Sequence, residues 1–85
     1  MVMAYVDRCL AALPIAVEAL DRSDYGHLRV FGHRLRGSGG AYGIPKLTEI
    51  GSAIEKAAIQ DDSAGLRLQI GALQACLNQL EVLSD

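Results

Sequence analysis

The chain has no tryptophan, one phenylalanine, two prolines and two cysteines. A core without tryptophan must be built from aliphatic side chains. Cys9 and Cys76 lie far apart, make no metal-ligand spacing and are too few for a disulfide framework. Both read as small buried hydrophobes. Long apolar runs are missing too. The longest, Cys9 to Val17, has nine residues and contains Pro14, whereas a membrane span needs about 20. No basic leader opens the chain, and Asp7 and Arg8 break its early apolar character, so a secretory signal is not expected and the cytoplasm is the expected compartment. Nor is there an excess of positive charge. The net charge is −2, which gives no global basic field and excludes nucleic acid as an expected partner.

What is present is a chain of 85 residues, 51% hydrophobic, which is one domain spanning residues 1–85. A domain of this size buries roughly 60% of its unfolded surface. Tyr5, Val6, Cys9, Leu10, Leu13, Val17 and Leu20 recur at spacings of three and four, predicting an amphipathic helix over residues 3–22. Pro14 removes the hydrogen bond to the Leu10 carbonyl and is expected to kink this helix or split it. Ser23 or Asp24 supplies a cap for a second helix, over residues 24–40. Pro45 suits the first turn of a third, over 45–59, whose Leu47, Ile50, Ile54, Ala57 and Ala58 share one face. A fourth, over 62–83, begins with carboxylates that favour a helix N-terminus and carries Leu66, Ile70, Leu73, Leu77 and Leu80 as its stripe. No segment has a period of two and no internal repeat is visible. Four helices joined by short turns predict an all-α, antiparallel up-and-down four-helix bundle.

The second helix holds the unusual residues. With Leu28 placed at zero and about 100° per residue, Phe31 and Leu35 fall within about 60° of it, as does Tyr42 if the helix persists. His33 comes out at about 140°, nearly opposite that buried face, with Arg29, Gly37 and Gly40 on its side and Arg36 at its flank. His27 falls at about 260°, on the shoulder of the buried face, and reads as a partly covered boundary residue. Six residues separate the two histidines, which puts them on different sides. No third ligand stands at a suitable spacing, so no metal site is expected.

Charge concentrates around His33. Residues 22–46 carry Arg22, Arg29, Arg34, Arg36 and Lys46 against Asp24 alone, a local balance of +4, while the remainder balances to −6. A basic patch beside a nucleophilic histidine suits a phosphoryl group and an acidic partner pocket. By charge alone, a solvated arginine face explains the same residues. Gly37, Gly39 and Gly40 weaken a helix by roughly 2–3 kcal/mol relative to alanine. Either the helix ends at Arg36 with Gly37 as its left-handed cap, or it continues and Gly37 leaves room for another protein one turn beyond His33.

Other chemistries fail on spacing. The glycines do not match a dinucleotide fingerprint, and no Gly-Lys-Ser/Thr marks a nucleoside triphosphate loop. Gly37-Ser38-Gly39-Gly40 matches a GxxG pattern whose RNA-binding fold needs a sheet. Ser38 leans toward the core and is expected to bond a backbone carbonyl. Glu55 and the other acids read as residues of polar faces, with no general acid–base constellation among them.

His33-Arg34-Leu35-Arg36-Gly37-Ser38, followed by Gly43 and Leu47, resembles the signature of histidine-containing phosphotransfer domains, His-x-Leu-Lys-Gly-Ser with a later glycine and leucine. Leu13-Pro14, the Asp24 turn and Ile54-Glu55-Lys56-Ala57 extend the resemblance over nearly the whole chain. It implies a four-helix bundle with His33 as phospho-acceptor, and Nε2 as the expected nucleophile. Arg36 stands where the family's lysine neutralises phosphoryl oxygens, with a planar fork in place of an ammonium. It also tips Gly37 toward docking clearance. Arg29, Gly32, Arg34, Gly37 and Gly40 are then the residues expected to meet a partner. The implied partners are receiver domains of two-component systems, including those of hybrid histidine kinases, which carry the Mg²⁺ themselves. The implied role is a phosphorelay carrier, not an enzyme, with no cofactor and no ATP site of its own.

Overall fold

Asp24 starts the second helix. Its carboxylate accepts the His27 amide at 3.2 Å, satisfying a donor the helix cannot use itself. Asp62 does the same for the last helix, accepting the Gly65 amide at 2.9 Å. The structure, a computed structural model, describes residues 2–83; Met1, Ser84 and Asp85 of the expected 1–85 domain lie outside the described residues. The helices are α1 (Val2–Asp21), α2 (Tyr25–Ala41), α3 (Pro45–Ile59) and α4 (Ser63–Leu83). Every helix end lies within one residue of its predicted position.

The three turns are built alike. Ser23, Gly43 and Asp61 take left-handed conformations, with φ of 56°, 70° and 53°. The following amides, of Asp24, Ile44 and Asp62, donate back to the carbonyls of Ala19, Gly39 and Ala57 at 2.8, 2.8 and 2.9 Å. This is the Schellman closure of a helix C-terminus. Three residues between helices leave no length for anything but reversal. The helices pack in a ring, each against the next and α4 back against α1, in a body of 36 × 20 × 16 Å. That is the expected all-α bundle.

The core is aliphatic, as the missing tryptophan requires. Val6, Leu28, Leu47, Ile54, Leu66, Leu73 and Leu77 are fully enclosed. All five predicted α3 positions are buried, and Leu80 alone of the α4 stripe is half-buried. Several expectations are corrected. Pro14 does not split α1, which is one helix through it. Pro14 is exposed, so water can reach the Leu10 carbonyl that lost its amide. Val17 is exposed, because beyond the proline Ala16, Ala19 and Leu20 form the inner face. Cys9 and Cys76 are half-buried against the core rather than within it. His27 is exposed, not partly covered. Tyr42 follows the end of α2 and is exposed at its edge, where its ring stacks on Tyr5 at 4.2 Å between centroids.

Candidate functional site

The inner stripe of α2 is Leu28, Gly32, Leu35 and Gly39, at steps of four, three and four. Two of these four are glycines, so α2 approaches α3 backbone to backbone. A methyl group on Gly32 would lie 2.8 Å from the Gly51 carbonyl oxygen, and one on Gly51 would meet the amide of Arg36. Thr48 Oγ1 donates to the Arg36 carbonyl at 3.2 Å and ties the same pair of helices together. Gly32 is therefore corrected from a partner-facing residue to a buried helix contact, because any side chain there would hold α3 away.

This close crossing brings Glu55, one turn after Gly51 on α3, against His33. The imidazole is 63% exposed and the carboxylate 19%. Glu55 Oε2 is 3.1 Å from His33 Nδ1. Arg36 lies one turn along from His33, with Nη1 3.3 Å from Glu55 Oε1 and Nη2 3.2 Å from the same Nδ1. Nδ1 cannot hydrogen-bond to both. It donates to the carboxylate when protonated and accepts from the guanidinium when not. Nε2 has no hydrogen bond among the described residues. His33, Arg36 and Glu55 thus form one exposed cluster, with the ring held by one nitrogen and open at the other.

Glu55 is the residue that sequence reasoning missed. It stands 22 residues from His33, and only the helix crossing makes them neighbours. Its sequence signals were its place four residues after Gly51 and within Ile54-Glu55-Lys56-Ala57, neither of which gave it a role.

The other predicted residues distribute around the ring. Arg29 lines a recess of about 310 Å³ with Val30, His33 and Glu55. Arg34 lies toward α1, on a recess shared with Ala12, Ile15, His27 and Val30. Gly37 faces open space, with nothing within 4 Å of an added methyl group, and Gly40 is exposed near Thr48. The helix continues through all the glycines to Ala41, which settles cap against continuation. Ser38 helps to hold it. Its hydroxyl lies 3.4 Å from the Leu35 carbonyl, the expected bond, and 2.6 Å from the Tyr5 hydroxyl. Burial pushes the Tyr5 phenol up to about 12. Burial also raises the Cys9 and Cys76 thiols. Among the described residues no three His, Cys, Asp or Glu side chains gather as a metal site, and no helix is long and apolar enough to cross a membrane.

An exposed histidine on a bundle helix, anchored at one ring nitrogen and surrounded by a basic patch, is open to a phosphoryl group brought by another protein. Residues 1–83 match the family model of the Hpt domain, and the chain belongs to that family. Searches of curated proteins and of solved structures return no match to it. Membership gives it histidine phosphotransfer in two-component signalling, as a carrier module working with response-regulator receiver domains.

Proposed function

We propose that the chain is a phosphorelay intermediate in which His33 takes a phosphoryl group from one receiver aspartate and passes it to another. The observation that carries this reading is the anchored Nδ1 of His33 beside an unpartnered Nε2. An ionised carboxylate only accepts, so Glu55 favours the tautomer with hydrogen on Nδ1 and the lone pair on Nε2. In the forward step a P–Nε2 bond forms and the P–O bond of the aspartyl phosphate breaks, releasing the carboxylate. The ring becomes an imidazolium whose remaining N–H still points at Glu55. The return step reverses these bonds onto a second aspartate. Mg²⁺ and the acidic pocket belong to the receivers, whether free-standing or part of a hybrid histidine kinase, and ATP is used elsewhere in the pathway. The relay operates in the cytoplasm.

Gly37 and Gly40 leave the surface past His33 low, and Arg29 and Arg34 give it a positive rim for an acidic partner. The test is to mix the chain with a receiver carrying labelled phosphate and then with a second receiver. Acid-labile, base-stable label should appear on the chain, leave for the second receiver, and be absent from His33→Gln. Label that persists on His27 in His33→Gln would overturn the assignment.

A further inference from the structure

The sequence places a phosphoryl contact on Arg36, but Arg36 is engaged elsewhere. One guanidinium nitrogen is on Glu55 Oε1 at 3.3 Å and the other faces Nδ1 at 3.2 Å. Both contacts lie at the anchored edge of the imidazole, away from the nitrogen that is free to react. Leaving Glu55 would strip a half-buried carboxylate of its cation. Arg29 is placed differently. It stands one turn before His33 on the same side of α2, and Cβ bonds in a helix lean toward the N-terminus. The His33 side chain therefore leans back over the Arg29 turn. Arg29, Val30, His33 and Glu55 enclose the 310 Å³ recess there, which is ample for a phosphoryl group. Arg29 has no ion pair or side-chain hydrogen bond among the described residues, so its fork is available to an incoming anion.

We infer that Arg29 is the residue that holds the phosphoryl group on His33 Nε2, while Arg36 is a positioning residue that neutralises Glu55 and steadies the ring. This assignment rests on the acceptor role of His33. Two cations then divide the work. Arg36 pairs with Glu55 and so holds the carboxylate in place against the Nδ1 edge of the ring. Arg29 meets the charge that arrives on the opposite nitrogen. Val30, 45% exposed on the recess wall, presents an apolar side and leaves Arg29 as the donor lining it.

The full-length chain tests this without any receiver, using phosphoramidate as phosphoryl donor. In that reaction the P–N bond to ammonia breaks, ammonia leaves, and a P–N bond forms to Nε2, with the Nδ1 hydrogen retained. Phosphohistidine is followed by ³¹P nuclear magnetic resonance, and helical folding of each variant by circular dichroism. Arg29→Ala should label roughly tenfold more slowly than the unsubstituted chain, the worth of one exposed charge-assisted contact. Arg29→Lys should recover part of that rate, and about 1 M salt should shrink the difference by screening. The phosphorus resonance should shift in Arg29→Ala and stay in place in Arg36→Ala. Arg36→Ala should instead change the tautomer balance of the unphosphorylated ring, read from its ¹⁵N shifts. Equal labelling by Arg29→Ala and the unsubstituted chain, with His33 still the labelled residue, overturns the Arg29 assignment alone. No label on His33 in the unsubstituted chain, or undiminished label in His33→Gln, overturns the acceptor role itself.

Discussion

Gly32 and Glu55 are in direct contact across two helices: a methyl group on Gly32 would lie 2.5 Å from the Glu55 amide nitrogen. The residue before His33 is thus packed on the backbone of the residue that anchors the His33 ring. Gly32→Ala sets two effects against each other. Helix propensity gains about 1 kcal/mol, while overpacking costs typically 1–3 kcal/mol. The obstructing atoms are backbone, which yields only if α3 moves, so overpacking wins. Gly32→Ala should lower stability in urea unfolding and lengthen the Glu55–His33 contact. A variant more stable than the original would show that α3 is not held this closely.

Gly37 should behave in the opposite way. Nothing stands near it, and α2 is helical on both sides. Gly37→Ala is therefore expected to stabilise the domain by about 1 kcal/mol, the full helix-propensity difference. Gly37→Gln should also raise the melting temperature, yet slow transfer from a phosphorylated receiver while leaving phosphoramidate labelling intact. Slowing of both reactions would place the effect on His33 rather than on docking.

Glu55→Gln tests the anchor. The carboxamide presents donors as well as an acceptor, so it accommodates either tautomer of His33. The ¹⁵N shifts of the ring should move from the Nδ1–H form toward a mixture. Acceptance of phosphate by Nε2 should fall by up to about tenfold, the scale of one charge-assisted hydrogen bond near the surface. Glu55→Gln with unchanged shifts and rate would mean that the Glu55 carboxylate does not set the tautomer.

The bundle was legible because its signals are local. Capping carboxylates, Pro45 and the four-three spacing of α3 and α4 each act within one or two turns. The exposure of His33 was legible for the same reason, since one helical wheel places it opposite Leu28. Glu55 was not, because its role depends on how closely two helices approach. That distance is set by Gly32 and Gly51, and glycine gives no apolar signal to read. The same wheel puts Gly32 at about 40° from Leu28, inside the buried face. Counting only large apolar residues left it outside. Val17 and His27 failed for a related reason: a wheel gives direction, but the neighbouring helix decides how wide the covered sector is.

A clamp of three side chains, from α1 and from the turn after α2, holds the far end of α2. Tyr5 holds Ser38 by its hydroxyl and stacks on Tyr42, whose own hydroxyl accepts from Arg8 at 3.3 Å. Tyr5 is 4% exposed, and burial raises its phenol from 10.0 to about 12. Burial likewise raises Cys9 from its ordinary 9.0. Above these ordinary values the unfolded chain has released protons that the folded chain still holds. Stability must then fall as pH rises, since the unfolded state binds fewer protons. The contribution is complete below pH 9, begins to fade there through the thiols, and is lost through Tyr5 between about pH 10 and 12. Tyr5→Phe removes the phenol and its bond to Ser38, so it should be less stable at neutral pH but decline less steeply between pH 10 and 12. Unfolding free energies from urea titrations at stepped pH provide the measurement. Parallel slopes for Tyr5→Phe and the unsubstituted chain would mean that the Tyr5 hydroxyl ionises in the folded bundle as freely as in water.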